Sequence, residues 1–197
     1  MSPPRLLIAS NNPHKVDEFR QLLAGCGWDI VGPADAGVDI DVDEAGATYE
    51  DNARIKARAF AAAAGLPALA DDSGLEVDAL GGEPGPLHHR LGWDGAGNDE
   101  RIRILLRRLE GVSDRRARFR AVIVVVFPDG RELLAEGVCG GEIALAPDGQ
   151  GGFGYDPVFR LADGRTMAQV SPAEKNRISH RGRAVEAIKA ALAEAAQ

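Results

Sequence analysis

Phe119-Arg-Ala-Val-Ile-Val-Val-Val-Phe127 is the stretch that decides the fold. From Ala121 to Phe127 it is an unbroken apolar run rich in valine, which predicts a central strand buried on both faces. Pro128-Asp129-Gly130 follows as a turn signal, so residues 131–138 are expected to return as its hairpin partner. Upstream, residues 5–9 read as a short buried strand running into Ser10-Asn11-Asn12-Pro13, where Asn12 suits a helix cap and Pro13 its first turn. That helix closes at Leu22 and Leu23, before Gly25. A second helix is expected from Thr48, with Asp51 as capping-box partner and Tyr49, Ala53, Ala57, Phe60 and Ala64 as its core-facing stripe. Residues 66–70 and 75–77 read as short strands around an acidic turn. Residues 98–109 read as a helix ended by Gly111, and 179–196 as an alanine-rich amphipathic helix. Helices mixed with a long hairpin predict an α/β or α+β chain with a mixed sheet.

The chain has 197 residues, with 23 Lys+Arg against 30 Asp+Glu and a formal charge of −7. That length predicts a single domain over residues 1–197, able to bury a sizeable core. The acidic balance argues against binding long nucleic acid or an anionic membrane, both of which need a basic surface. No apolar run approaches the roughly 20 residues that span a bilayer, and the start lacks a signal-peptide layout. Cys26 and Cys139 stand far apart, suggesting neither a disulfide framework nor a CxxC metal site. A cytoplasmic setting is expected.

Four segments carry candidate chemistry. At Ser10-Asn11-Asn12 with Lys15, a helix N-terminus, amide and hydroxyl donors and a lysine suit a phosphate; a capped helix with a surface lysine has the same pattern. Asn52 and Lys56 lie four apart on one helical face, with Glu44 in the loop before it, and suit a metal–phosphate site or a solvated face. Asp71-Asp72-Ser73-Gly74 offers adjacent carboxylates for a hard cation or for activating water, or an ordinary acidic turn. The tail joins Gly151-Gly-Phe-Gly-Tyr-Asp-Pro157 to a basic run from Glu174 to Arg183, in which His180 and Arg181 fall in the first turn of the last helix. Basic residues there oppose the helix dipole, so an anion explains them better than stability does. Together the four describe a nucleoside polyphosphate pocket.

From Leu7 to Leu192, these motifs resemble, in uninterrupted order, the inosine/xanthosine triphosphate pyrophosphatases. Members of that family hydrolyse deaminated purine nucleoside triphosphates to the monophosphate and pyrophosphate. The resemblance implies an elongated two-lobed α/β fold, with a long mixed β-sheet flanked by helices and the active site in the cleft between lobes. It also implies Mg²⁺ as cofactor, a small-molecule nucleoside triphosphate as substrate and a homodimer. Carried over, Glu44, Asp71 and Asp72 resemble the metal-binding carboxylates, and Asp72 the general base. Ser10, Asn11, Asn12, Lys15, Asn52, Lys56 and Ser73 resemble the phosphate-side contacts. Phe153, Gly154, Tyr155 and Asp156 resemble the base-stacking loop. Lys175, His180 and Arg181 resemble the residues that read the 6-keto edge.

After Pro84-Gly85 the family's Tyr-Ser-Ala-Arg-Tyr-like run is replaced here by Pro86-Leu87-His88-His89-Arg90-Leu91, in which only Arg90 keeps register. Paired histidines without further ligands fit a surface loop better than a zinc site, which needs three or four ligands. Two other readings are weighed: a septum-associated pyrophosphatase acting on modified pyrimidine nucleotides, and a nucleotide-binding module without turnover. The Phe153 loop and Ser179-His180-Arg181 oppose the first, and the intact acidic pair opposes the second.

Overall fold

Side-chain alternation along the strands sorts the core into layers. The structure is a computed structural model that describes residues 2–86 and 97–196. Its six strands are β1 (Arg5–Ile8), β2 (Asp29–Val31), β3 (Ala68–Val77), β4 (Arg116–Val126), β5 (Glu132–Ile143) and β6 (Phe159–Arg160). They form one sheet of order β2-β1-β3-β4-β5-β6. β1 pairs parallel with β2 and with β3, whereas β5 and β6 are antiparallel, so the sheet is mixed. The helices are α1 (Pro13–Leu22), α2 (Pro33–Ala36), α3 (Tyr49–Ala64), α4 (Asn98–Arg108), α5 (Pro172–Ile178) and α6 (His180–Ala195). Among the described residues, no helix is long and apolar enough to cross a membrane.

The chain divides into two compact units. The first comprises Met1–Asp72, Ala121–Gly137 and Arg181–Gln197, and the second Ser73–Arg120 and Val138–His180. In the first unit, Leu6 and Ile8 of β1, Leu69 of β3 and Ala121, Ile123 and Val125 of β4 share one core with Val16 and Phe19 of α1 and Val185 and Ile188 of α6. The intervening residues Leu7, Ala68, Ala70, Val122, Val124 and Val126 meet Tyr49, Ala53, Ala57 and Phe60 of α3 in a separate core. This is the two-faced burial that the valine run implies. The second unit has its own core, where Leu75, Val77, Phe119 and Ile143 meet Ile102 and Leu105 of α4 and Val158 and Phe159.

Local signals act largely as read. Asn12 caps α1, its side chain accepting from the His14 N–H, and Pro13 opens the helix. Thr48 caps α3 by accepting from the Asp51 N–H, but the Asp51 carboxylate accepts from the Thr48 hydroxyl, which is not the backbone bond of the expected capping box. Residues 127–131 turn β4 into β5, which runs on to Ile143, past the expected end at 138.

One expectation is overturned. Residues 66–70 and 75–77 are not two strands around an acidic turn, because Ala68–Val77 is a single strand carrying Asp71 and Asp72 in its middle. Sheet pairing and buried charged partners override the turn preference of Asp-Asp-Ser-Gly. The His88–Leu91 departure lies outside the described residues.

Ile123 is fully buried in the sheet core. Ile123→Ala should therefore lower the unfolding free energy in urea by about 2–5 kcal/mol. A change too small to resolve from wild type would contradict this core assignment.

Candidate active site

Successive strand residues point to opposite faces, and on β3 this separates the two adjacent carboxylates. Asp71 follows Leu69 onto the α1/α6 face, and Asp72 follows Ala70 onto the α3 face.

Asp71 is buried among cations. Its Oδ1 accepts from Lys15 Nζ of α1 at 3.0 Å, and its Oδ2 accepts from Arg181 Nε and Nη2 at 3.1 and 3.0 Å. Arg181, in the first turn of α6, also donates to Glu18 Oε2 of α1 at 2.8 Å and is only 1% exposed. Burial alone would push the Asp71 carboxyl up, but the charges of Lys15, Arg181 and Lys56 outweigh it and hold the group well below the usual carboxylate range. Burial likewise lowers the Lys15 ammonium from its ordinary value, against the pull of Asp71. The anion that Arg181 meets at the start of its helix is therefore the protein's own Asp71 and Glu18. Glu18 is absent from the residues read out of the sequence. Its signal was its place one turn after Lys15 on α1.

On the α3 face, Asp72 Oδ2 accepts from Asn52 Nδ2 at 3.0 Å, and Lys56 Nζ donates to Glu44 Oε2 at 2.9 Å. Asn52 and Lys56 stand one turn apart on α3, both buried, as their spacing predicts. Burial raises the Asp72 carboxyl, the neighbouring charge of Glu44 adds to the rise, and Lys56 and the Asn52 bond oppose it. The two adjacent carboxyls are thus shifted in opposite directions. Of the remaining motif residues in this unit, Ser10 Oγ accepts from the Asn12 N–H, and Asn11 Nδ2 donates to the Ile40 carbonyl.

The second unit holds the aromatic and basic residues. Asp156 is buried, and its Oδ2 accepts from the Phe153 N–H at 2.8 Å and from Lys175 Nζ. Lys175 lies over the Phe153 ring, 4.6 Å from its centroid, while the ring is 38% exposed. Gly152 has φ +71°, and a Cβ there would stand 2.0 Å from Asp156 Oδ2, so only glycine leaves room for this carboxylate. Lys175 is set by α5, whose start is fixed by the Ser171 cap and by a two-bond contact of Arg165 with Glu174. Burial pushes the Tyr155 phenol up to about 12, keeping it neutral. The His180 ring is buried and stacked on Phe119 at 4.9 Å and 19°, and Phe119 packs in turn on Phe159 at 4.4 Å. Gly154 has φ +62°, and Ser73 is half-buried on β3.

Among the described residues, no group of three or more His, Cys, Asp or Glu side chains converges on a metal position. Glu44 and Asp72 nevertheless form a pair of hard oxygen donors whose like charges disfavour one another. One or two carboxylates completed by phosphate oxygens is the donor set that Mg²⁺ accepts. The residues present fit such an ion. Cys26 and Cys139 are buried.

Asp71 carries a depressed pKa, so its ionised form stabilises the fold fully above about pH 4, its ordinary value. That contribution is lost as pH falls toward the folded value. Urea unfolding of the metal-free protein should show a steeper loss of stability below pH 4 for wild type than for Lys15→Met. Equal slopes would contradict the counter-ion role.

A profile of the Ham1 family matches residues 6–191. A dITP/XTP pyrophosphatase of Symbiobacterium thermophilum is 54% identical over 94% of this chain and 93% of its own length. One from Deinococcus deserti is 45% identical over 95% of this chain and 88% of its own. A solved structure of a HAM1 protein from Coxiella burnetii superposes with a TM-score of 0.87 at 41% identity, covering 97% of this chain and 99% of that one. With a matched profile over almost its whole length and relatives this similar in sequence and fold, the chain belongs to the Ham1 family.

Proposed function

We propose that this protein hydrolyses noncanonical purine nucleoside triphosphates (dITP, ITP and XTP) to the nucleoside monophosphate and pyrophosphate, clearing them from the nucleotide pool. The observation that carries the reading is the split acidic pair. One carboxylate is locked as a counter-ion by Lys15 and Arg181, while its neighbour is buried on the opposite face against Asn52, on the helix whose Lys56 holds Glu44. The names of the curated relatives support the same activity.

In this mechanism Glu44 and Asp72 would hold the divalent cation, taken to be Mg²⁺, with Asp71 contributing through its cations rather than through its own oxygens. When bound, the ion would supply charge neutralisation and polarisation at phosphate oxygens. Asp72 accepts the proton of a water molecule as the water oxygen attacks the α-phosphorus and the bond to pyrophosphate breaks. Lys15 and Lys56 offset charge that develops on the leaving pyrophosphate, with donors from Ser10, Asn11, Asn12 and the α1 N-terminus binding phosphate oxygens. Arg181 holds Asp71 in place.

Base recognition is assigned, following the family resemblance, to the residues that resemble the family's base-reading motifs. Phe153 offers a stacking face, and Lys175 and His180 offer donors to a 6-keto oxygen. Adenine presents an amino group there, leaving a buried donor without an acceptor at about 1–3 kcal/mol per group. We also assign the protein to the cytoplasm as a homodimer, following the family resemblance.

A panel of dITP, ITP, XTP, GTP, ATP and modified pyrimidine triphosphates with Mg²⁺ tests the assignment. Monophosphate plus pyrophosphate is expected, with dITP, ITP and XTP well ahead of ATP and GTP. Release of orthophosphate, or equal turnover of ATP, would overturn it. Asp72→Asn should lower kcat by about 10²–10⁴-fold with nucleotide affinity retained in a binding titration. Near-normal turnover would remove Asp72 as the base.

A further inference from the structure

Asn52 is expected from the sequence to contact substrate, yet both ends of its amide are engaged within the protein. The Gly46 N–H donates to Asn52 Oδ1 at 2.8 Å, and Asn52 Nδ2 donates to Asp72 Oδ2 at 3.0 Å. The residue is only 2% exposed. The Gly46 contact decides which way the amide faces. A backbone N–H must be met by the amide oxygen, so the amide nitrogen is the group turned toward the carboxylate. Residue 46 has no room for a side chain. A Cβ there would stand 2.6 Å from Asn52 Oδ1, 2.6 Å from Asp51 Cβ and 2.9 Å from the Asn52 nitrogen.

Gly46 lies two residues after Glu44, so the contact that orients the amide also ties the Glu44 loop to α3. Lys56, one turn further along α3, takes the Glu44 carboxylate itself. Asp72 has a broad, roughly two-fold torsion at its carboxylate, which packing alone restrains poorly. A directional donor on one oxygen removes that freedom.

We propose that Gly46 and Asn52 form a positioning device for Asp72, in which the Gly46 N–H sets the amide and the amide holds Asp72 Oδ2 and fixes the carboxylate plane for proton abstraction. Asn52 is a positioning residue and does not touch the nucleotide. The inference rests on the pyrophosphohydrolase reading of the same site and assigns these two residues their part in it.

The test compares full-length wild type with Asn52→Ala, Asn52→Asp and Gly46→Ala, using dITP and Mg²⁺. Asn52→Asp keeps the side-chain shape and the acceptor for Gly46 and deletes the donor to Asp72. Each variant should lose about a hundredfold in kcat with KM within about threefold of wild type. If Asn52→Ala does not fold, as a cooperative thermal melt will show, the other two decide. A raised KM at unchanged kcat would make Asn52 a substrate contact and overturn the proposal, as would unchanged kinetics. A second readout needs no turnover. The Asn52 side-chain amide protons should exchange slowly with solvent in NMR spectra and should shift in Asp72→Asn; rapid exchange or an absent shift overturns the proposal. Wild type that fails to release pyrophosphate from dITP counts against the assigned activity, while the amide spectra still decide the Asn52 contact.

Discussion

The alternation of side chains along β3 is the constraint on which the site depends. A strand cannot point consecutive residues the same way, so Asp71 and Asp72 leave the backbone in opposite directions. Asp71 enters the layer of α1 and α6, where Lys15 and Arg181 hold both its oxygens. Asp72 enters the layer of α3, where Asn52, Lys56 and the nearby Glu44 surround it. Two residues of identical chemistry thereby become a fixed counter-ion and a carboxyl whose proton affinity is raised.

The same alternation builds the scaffold. Leu69 and Ala70 send their side chains into the two cores just before the acidic pair, and Ile123 and Val124 do so on the neighbouring strand. The helices that fill those cores are the ones that bring the charged partners. α1 carries Lys15 and Glu18 beside Val16 and Phe19, and α3 carries Asn52 and Lys56 beside Ala53 and Ala57. Burial of the apolar stripe and placement of the polar groups are one event. The net charge of −7 therefore says little about the site, where Lys15 and Arg181 gather on Asp71 with Lys56 nearby.

Much of this was legible in the sequence because it is local. The Asn12 and Thr48 caps and the four-residue spacing of Asn52 and Lys56 follow from contacts within a few residues, and the valine run at 121–127 announces its burial by composition alone. The acidic segment departs from the turn its sequence predicts for the opposite reason. Asp-Asp-Ser-Gly has turn composition, and only strand partners distant in the chain, with cations from α1 and α6, hold it extended. Glu18 stands one turn after Lys15, but its partner Arg181 lies 163 residues away, so spacing alone does not show its role. Phe119 looked like the start of a core strand, and nothing local announces that His180 stacks on it. Gly46 carries no local signal, because the group that fills the space of its missing side chain is Asn52, six residues on.

The most direct measurement is the unfolding free energy of metal-free Asp71→Asn and Asp72→Asn, taken side by side at neutral pH. Removing the charge of Asp71 strands Lys15 and leaves Arg181 with Glu18 alone in a buried layer, so stability should fall by about 3–5 kcal/mol. Removing the charge of Asp72, whose raised pKa marks it as a cost to the fold, should leave stability unchanged or increase it. A fall of similar size in both variants would contradict the division of the pair into counter-ion and reactive carboxylate.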